Sequence, residues 1–439
     1  MDRQTKKVYY IARNDEQTPE NITVYAPVTD KLFVVKGKKG NKVRNIRFEN
    51  LVMGNTRGDY KSIYTKAQTD DGQCYIDENN PDGFASDIQS VCWAHGSIEF
   101  YYAHGCYLEK CVLKNIGVHA ITVNEGCDRI QIADNDMFDL GAGATKITGG
   151  LAGCDKEDET HGNVVKNNII TDSGNRYFAA CGILIMHSYE NTVANNEISY
   201  QYYSGISVGW VWGYIDSITR DNLIEKNHIH HIGQGKLSDM GGIYLLGKQP
   251  GTIVRNNVIH DVISAHYGGW GLYTDEGSSY ITLENNICYN ISCNGFHQHF
   301  GDRNTVRNNI FVKSDEAPAR ISRVELHVGA LFERNIMVSS GTSAYQTGAK
   351  PIMGGCVHMM GSNRNVLFDK NGEAYVLDIG GRKYTLKEAQ DIFAIEENTV
   401  VADPCFSDYE NNDFTLKENS PALKMGFKQI DIKDVGAKR

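Results

Sequence analysis

The sequence has no apolar run long enough to cross a bilayer, and no basic-then-apolar leader opens it. It has no excess of positive charge: 44 Lys and Arg stand against 54 Asp and Glu, a formal charge of −10. That balance argues against nucleic acid or an anionic membrane as the main partner. No CxxC pair occurs among the eleven cysteines, an odd number scattered from Cys74 to Cys405. Neither a disulfide framework nor a zinc pattern is legible, and the cysteines read as buried thiols in a reducing or anaerobic setting. Almost no stretch sustains a 3.6-residue apolar period, so helices are expected to be few. The regular Leu positions of a leucine-rich repeat are absent too.

What is present is a repeat. An apolar residue, two mostly polar ones and an Asn recur as Val165 to Asn168, Val193 to Asn196, Ile224 to Asn227, Val254 to Asn257, Leu283 to Asn286 and Val306 to Asn309. Looser copies end at Asn50, Cys111, Asn135 and Asn335. From Asn168 to Asn335 the steps are 28, 31, 30, 29, 23 and 26 residues. Repeats of that length mark a solenoid, whose core grows with length and so accommodates 439 residues. Within each repeat apolar and polar residues alternate, the period of a strand. Asn tolerates a left-handed backbone and can hydrogen-bond a like residue stacked above it, which gives a repeated Asn a physical reason. The expected fold is all-β, a right-handed parallel β-helix over residues 44–365. A β-rich segment, 1–43, closes one end, and an irregular segment, 366–439, closes the other, with one short helix at Tyr384 to Ile392.

A second repeated piece opens each rung: Ala120 to Asn124, Gly182 to Met186, Gly205 to Gly209, Gly242 to Leu246, Gly271 to Asp275, Gly295 to His299 and, as a last copy, Gly355 to Met359. With Leu272, Thr274, Phe296 and Gln298 turned inward, alternation turns Tyr273, Asp275, His297 and His299 outward. The outward column then reads Thr122 and Asn124, Leu184 and Met186, Ser207 and Gly209, Tyr244 and Leu246, Tyr273 and Asp275, His297 and His299. Polar and aromatic chemistry gathers in the later rungs, on a face expected to meet water. Loops rich in Trp, Tyr and Gly, including Trp210 to Tyr214 and His266 to Trp270, could wall a groove there.

Asp239 and Asp275 stand on neighbouring rungs, about 4.8 Å apart in a β ladder. That offset suits the carboxyl pair of glycoside hydrolysis if the loop bearing Asp239 bends over the groove. The plainer alternative is that Asp239 caps a turn and Asp275 ends a strand. Glu276 either shares the site or binds the backbone amides of Gly277 and Ser278. His297 and His299 could bind sugar hydroxyls or tune the carboxyls; an HxH strand pair could also ligate zinc, but no third ligand stands at a convincing spacing. Tyr244, Tyr273, Trp212 and Trp270 are candidates for stacking on sugar rings or, equally, for packing. His187, His230 and His231 read as ordinary satisfied histidines.

These residues carry a resemblance. Tyr203 to Trp210, Asp239-Met240-Gly241-Gly242-Ile243-Tyr244, the turn Gln249 to Thr252, Gly269 to Ser279 with its DEGSS run, and Gly295-Phe296-His297-Gln298-His299 make the chain similar to the β-helix enzymes of glycoside hydrolase family 141. The resemblance spans nearly the whole chain. It implies a fucosidase- or xylanase-like activity on a plant-type or host glycan, with two catalytic aspartates in the places of Asp239 and Asp275. No metal or other cofactor is expected, and the partner is a carbohydrate bound by a monomer. The opening MDRQTKKVYYIAR resembles a mid-domain start. Localisation is therefore read as cytoplasmic for the chain as it stands, or secreted or periplasmic if residues precede it.

Two rivals share the fold. A polysaccharide lyase needs a base and a cation for its uronate, and the outward column so aligned has no Lys or Arg and no compact Asp cluster for calcium. The Arg-Ile-Lys signature of polygalacturonases is also missing. A non-catalytic glycan-binding solenoid needs no carboxylates in register.

Overall fold

The computed structural model describes every residue except 1–3, 8, 11–22, 59–73, 76–85, 88–89, 324, 348–359 and 439. Among the described residues three long sheets of thirteen, twelve and eleven strands run the length of the molecule, here termed the first, second and third sheets. One rung contributes a strand to each: Leu223–Glu225 to the third, His228–Ile232 to the second and Met240–Leu245 to the first. The next rung, Ile253–Arg255, Val258–Val262 and Gly269–Thr274, stacks on it in parallel along all three. The ladder begins at Phe33–Lys36, which pairs with Gly96–Tyr101, and the first sheet closes with the antiparallel pair Leu377–Ile379 and Arg382–Tyr384.

Alternation places one side chain of each pair inside. Ile224, Ile229, Ile243, Val254, Ile259, Leu272, Leu283, Cys288 and Phe296 share a single buried core that runs along the axis. Because strands are held on both sides, each rung depends on its neighbours, as expected of a one-dimensional array.

The repeated asparagines stack as their spacing predicts. Nδ2 of Asn196 donates to Oδ1 of Asn227 at 2.9 Å, and Nδ2 of Asn227 donates to Oδ1 of Asn257 at 3.0 Å. The chain of amides runs from Asn135 to Asn365. Each amide also ties backbone: Oδ1 of Asn227 accepts from the Asn196 amide, and Nδ2 donates to the Val193 carbonyl. The left-handed backbone belongs to the preceding residue, Asn195, Lys226 or Asn256, so the turn and the stack are made by adjacent positions. Asn227→Ala strands the buried donors of Asn196 and the Val193 carbonyl, at a cost of about 3 kcal/mol. A lowered urea midpoint with unchanged strand circular dichroism is the expected result.

The closing segment divides its work differently from the expectation that all of it covers the open end. The helix, Leu386–Phe393, has a capping box from Thr385 and Glu388, and Ala389 packs on the end of the core. Phe406, Phe414, Leu416, Phe427 and Ile430 instead cover the outer side of the second sheet, against Val258, Ile287, Ile310, Ile336 and Val366. Those outward positions are apolar in the later rungs and require a cover there. The proposed last rung at Gly355 to Met359 lies outside the described residues. No helix among the described residues is long and apolar enough to cross a membrane.

Candidate active site

The register of the first sheet pairs Ser207 with Tyr244, Tyr244 with Tyr273, and Tyr273 with His297. These side chains do turn away from the core, but they do not face water. Tyr244, Tyr273 and His297 are each 3% exposed and Asp275 is 4% exposed. The face expected to be open is roofed by the Trp- and Tyr-rich loops, because Trp270, Leu246 and Cys293 form a second apolar cluster with the two tyrosines, onto which Trp212 packs. What stays open is a cleft of about 360 Å³.

Asp239, Asp275, Glu276, Tyr273, Trp212, Trp270, His297 and His299 all line that cleft. Tyr244 lies beneath it, its hydroxyl donating to Oδ2 of Asp275. Asp239 ends the incoming loop in a left-handed conformation, φ 60°, which Asp tolerates better than most residues. Three contacts hold it: the Tyr203 hydroxyl donates to its carbonyl at 2.8 Å, its amide donates to the Tyr267 carbonyl at 3.3 Å, and the Tyr273 hydroxyl donates to its Oδ1 at 3.2 Å. Gly268 is pressed against this turn; a Cβ there would stand 2.7 Å from the Asp239 nitrogen. Asp275 follows the strand Gly269–Thr274, its amide donating to the Leu245 carbonyl of the preceding rung at 2.9 Å.

The electrostatics separate the two carboxyl groups. Burial, then the negative charge of Asp275, pushes the Asp239 carboxyl up to about 6, against the opposing hydrogen bond from Tyr273. Burial and the nearby carboxylates raise the phenols of Tyr273 and Tyr244 well above their usual range, so both remain donors. Burial holds His297 well below the usual histidine range, helped by Arg320 and His299.

Two expectations are revised here. Glu276 does not bind the Gly277 and Ser278 amides, which donate to the carbonyls of Phe300 and Asp275; its own carbonyl accepts from Gly213 and Gly247. The outward column is not free of basic residues. Strands at Thr145–Ile147 and Ala319–Ile321 are further rungs, the first with Thr145 in place of the apolar residue and the second with Pro318 in place of the Gly of the aligned copies, and they put Lys146 beside Thr122 and Arg320 beside His297. Arg320 lines the cleft with Glu316 and Ser322. Its Nη1 donates to Glu316 at 3.2 Å, while its buried Nε has no hydrogen-bond partner among the described residues. His297 and His299 both turn to the Ser322 hydroxyl, at 3.0 and 2.9 Å. The alternation in Ala319-Arg320-Ile321 is the signal that would have found this rung. A larger cleft of about 680 Å³ lies elsewhere, beside Tyr25 and Asn115, but its described lining holds one carboxylate, Asp139.

The family profile described as a right handed beta helix region matches residues 96–262 and 159–372. The chain belongs to the right-handed β-helix family. Among solved right-handed β-helix structures, one described as a glycoside hydrolase is similar with a TM-score of 0.50 and 22% identity, over 66% of this chain and 51% of that one. The chain thus spans about half the length of that protein. A PL6 family polysaccharide lyase of Pseudopedobacter saltans is similar with a TM-score of 0.42 and 10% identity, over 90% and 99% of the two chains. The catalytic domain of a GH87 α-1,3-glucanase follows at 0.33 and 12%, over 81% and 68%. At these identities the likeness is one of fold. No curated protein matches the sequence.

Proposed function

We propose that this right-handed β-helix protein is a glycoside hydrolase of the kind its resemblance to family 141 implies, acting on a plant-type or host glycan. Asp239 is its general acid and Asp275 its second carboxyl group. The observation that carries this reading is the pairing itself: Asp239 and Asp275 line one cleft, and burial beside the negative charge of Asp275 pushes Asp239 up to about 6. A carboxyl group in that state can hold a proton near neutrality and deliver it to a glycosidic oxygen as the bond breaks. Asp275, fixed by the Tyr244 hydroxyl, then attacks the anomeric carbon or takes a proton from the attacking water. Glu276 and His299 are placed to bind sugar hydroxyls, and Trp212 and Trp270, which line the cleft, to meet a sugar ring. His297 and Tyr273 support the site from below. No metal or cofactor enters this chemistry, and the monomer is the working unit.

Arg320 favours a second reading. A guanidinium in the cleft with a free buried Nε suits the carboxylate of a uronate, which a lyase must neutralise before it removes the adjacent proton. Product chemistry separates the two. Incubated with a panel of plant and host glycans, the hydrolase releases reducing ends without ultraviolet absorbance. Absorbance of unsaturated uronates rising with the reducing ends would replace hydrolysis by β-elimination. Binding without either signal would leave a glycan-binding solenoid.

A further inference from the structure

On the second sheet, away from the cleft, two consecutive rungs bring four histidines together. The register sets Glu197 beside His228 and His230 beside His260. His231 and Asp261 complete the group from left-handed positions, φ 52° and 53°. His230 and His231, read from the sequence as ordinary satisfied histidines, thus stand in a cluster of titratable side chains. The group starts on the strand of Val258, where the apolar cover of this sheet begins, and extends onto the two preceding strands. The Gly436 backbone crosses it so closely that a Cβ there would stand 2.8 Å from Oε2 of Glu197.

The hydrogen bonds dictate where the ring protons are. A carboxylate can only accept. Glu197 faces His228 Nδ1 at 3.1 Å and His230 Nε2 at 2.6 Å, so both nitrogens carry protons. Asp261 faces His260 Nδ1 at 2.6 Å, so that nitrogen carries a proton likewise. In neutral rings the other nitrogens are then lone pairs. His230 Nδ1 can accept from Nδ1 of His231, 2.7 Å away, but His228 Nε2 and His260 Nε2 face each other at 2.8 Å. Two lone pairs at that distance repel unless something positive is shared between them. Imidazoles whose remote N–H groups are held by carboxylates are the arrangement in which histidine serves as a metal ligand, since the carboxylate orients the ring and raises its basicity.

We propose that His228 and His260, through their facing Nε2 atoms and with Glu197 and Asp261 orienting the rings, bind a divalent transition ion that prefers imidazole, such as Zn²⁺ or Cu²⁺, with His230 and His231 alongside. Glu197, His228, His230 and, separately, His231, His260, Asp261 each gather their potential ligand atoms within 4.8 Å. Entry is open through His231, whose side chain is 46% exposed. The ion would clamp adjacent rungs beneath the Gly436 backbone, independent of the cleft and of any reaction in it.

The test uses the full-length protein stripped with a chelator, then titrated with Zn²⁺ by calorimetry and with Co²⁺ by visible absorption. Saturable uptake of one ion per chain, visible Co²⁺ bands and a raised melting temperature are expected. His228→Gln and His260→Gln should each weaken uptake about tenfold or more, and Glu197→Gln comparably. His161→Gln, outside the group, should retain it. Circular dichroism confirms that each variant keeps its strand signal; the alanine variant at the same position replaces any that does not. Absence of saturable uptake by the folded protein would overturn the site and leave a shared proton as the account of the close nitrogens. Undiminished uptake in the His228 and His260 variants would overturn it equally, by placing the ion elsewhere.

Discussion

Asp239→Asn lowers kcat/KM on a cleaved glycan by about three orders of magnitude, the range that a positioned general acid contributes. The amide keeps the shape of the carboxyl group and can still accept from Tyr273, so the loss is chemical. In the unaltered enzyme the acid must be protonated, and activity falls as pH rises through about 6. The variant loses that alkaline limb along with the rate. Stability moves the other way. The folded carboxyl group titrates above its ordinary 3.8, so between 3.8 and about 6 the native state binds more protons than the unfolded chain. Stability conferred by holding that proton is full below 3.8 and is lost as pH rises through about 6. Asp239→Asn therefore melts higher than the parent at pH above 6 and equally at pH below 3.8. A variant that is inactive and no more stable at neutral pH would remove the buried, proton-holding Asp239 from the mechanism.

Asp275→Asn abolishes turnover to a similar or greater degree, because neither attack on the anomeric carbon nor activation of water survives loss of this carboxylate. The Tyr244 hydroxyl can donate to the amide oxygen instead, so the fold is retained. The substitution also reaches Asp239. With its charged neighbour gone, the Asp239 carboxyl group titrates lower, and a carboxyl NMR titration of the variant reads that shift directly. Azide supplied to Asp275→Ala enters the vacated space and restores part of the rate. Retained turnover in Asp275→Asn would favour a lyase centred on Arg320.

The fold was legible because its determinants are local and repeated. Asn196, Asn227 and Asn257 recur at the spacing of a rung, and Ile243, Leu272 and Phe296 fall inward by alternation alone. Rungs with an irregular opening were harder to see. Thr145 to Ile147 opens on a polar residue and Ala319 to Ile321 follows Pro318 where other copies have Gly, and the omission hid Lys146 and Arg320 from the outward column. The histidines of the second sheet were invisible for another reason. His230 and His260 are neighbours only through interstrand register, and sequence distance says nothing of that.

The sequence by itself therefore determined the solenoid, its three-sided alternation, the amide ladder and the direction of each side chain relative to the core, since these follow from periods of two residues and of one rung. Only the tertiary structure decided which outward side chains meet water. The loop at Trp210 to Tyr214 has no repeat of its own, and the packing of its Trp212 together with Trp270 over Tyr244 and Tyr273 helps bury the Asp275 carboxyl group and drive up that of Asp239. A buried charge beside another is a property of assembled neighbours, which no single strand specifies.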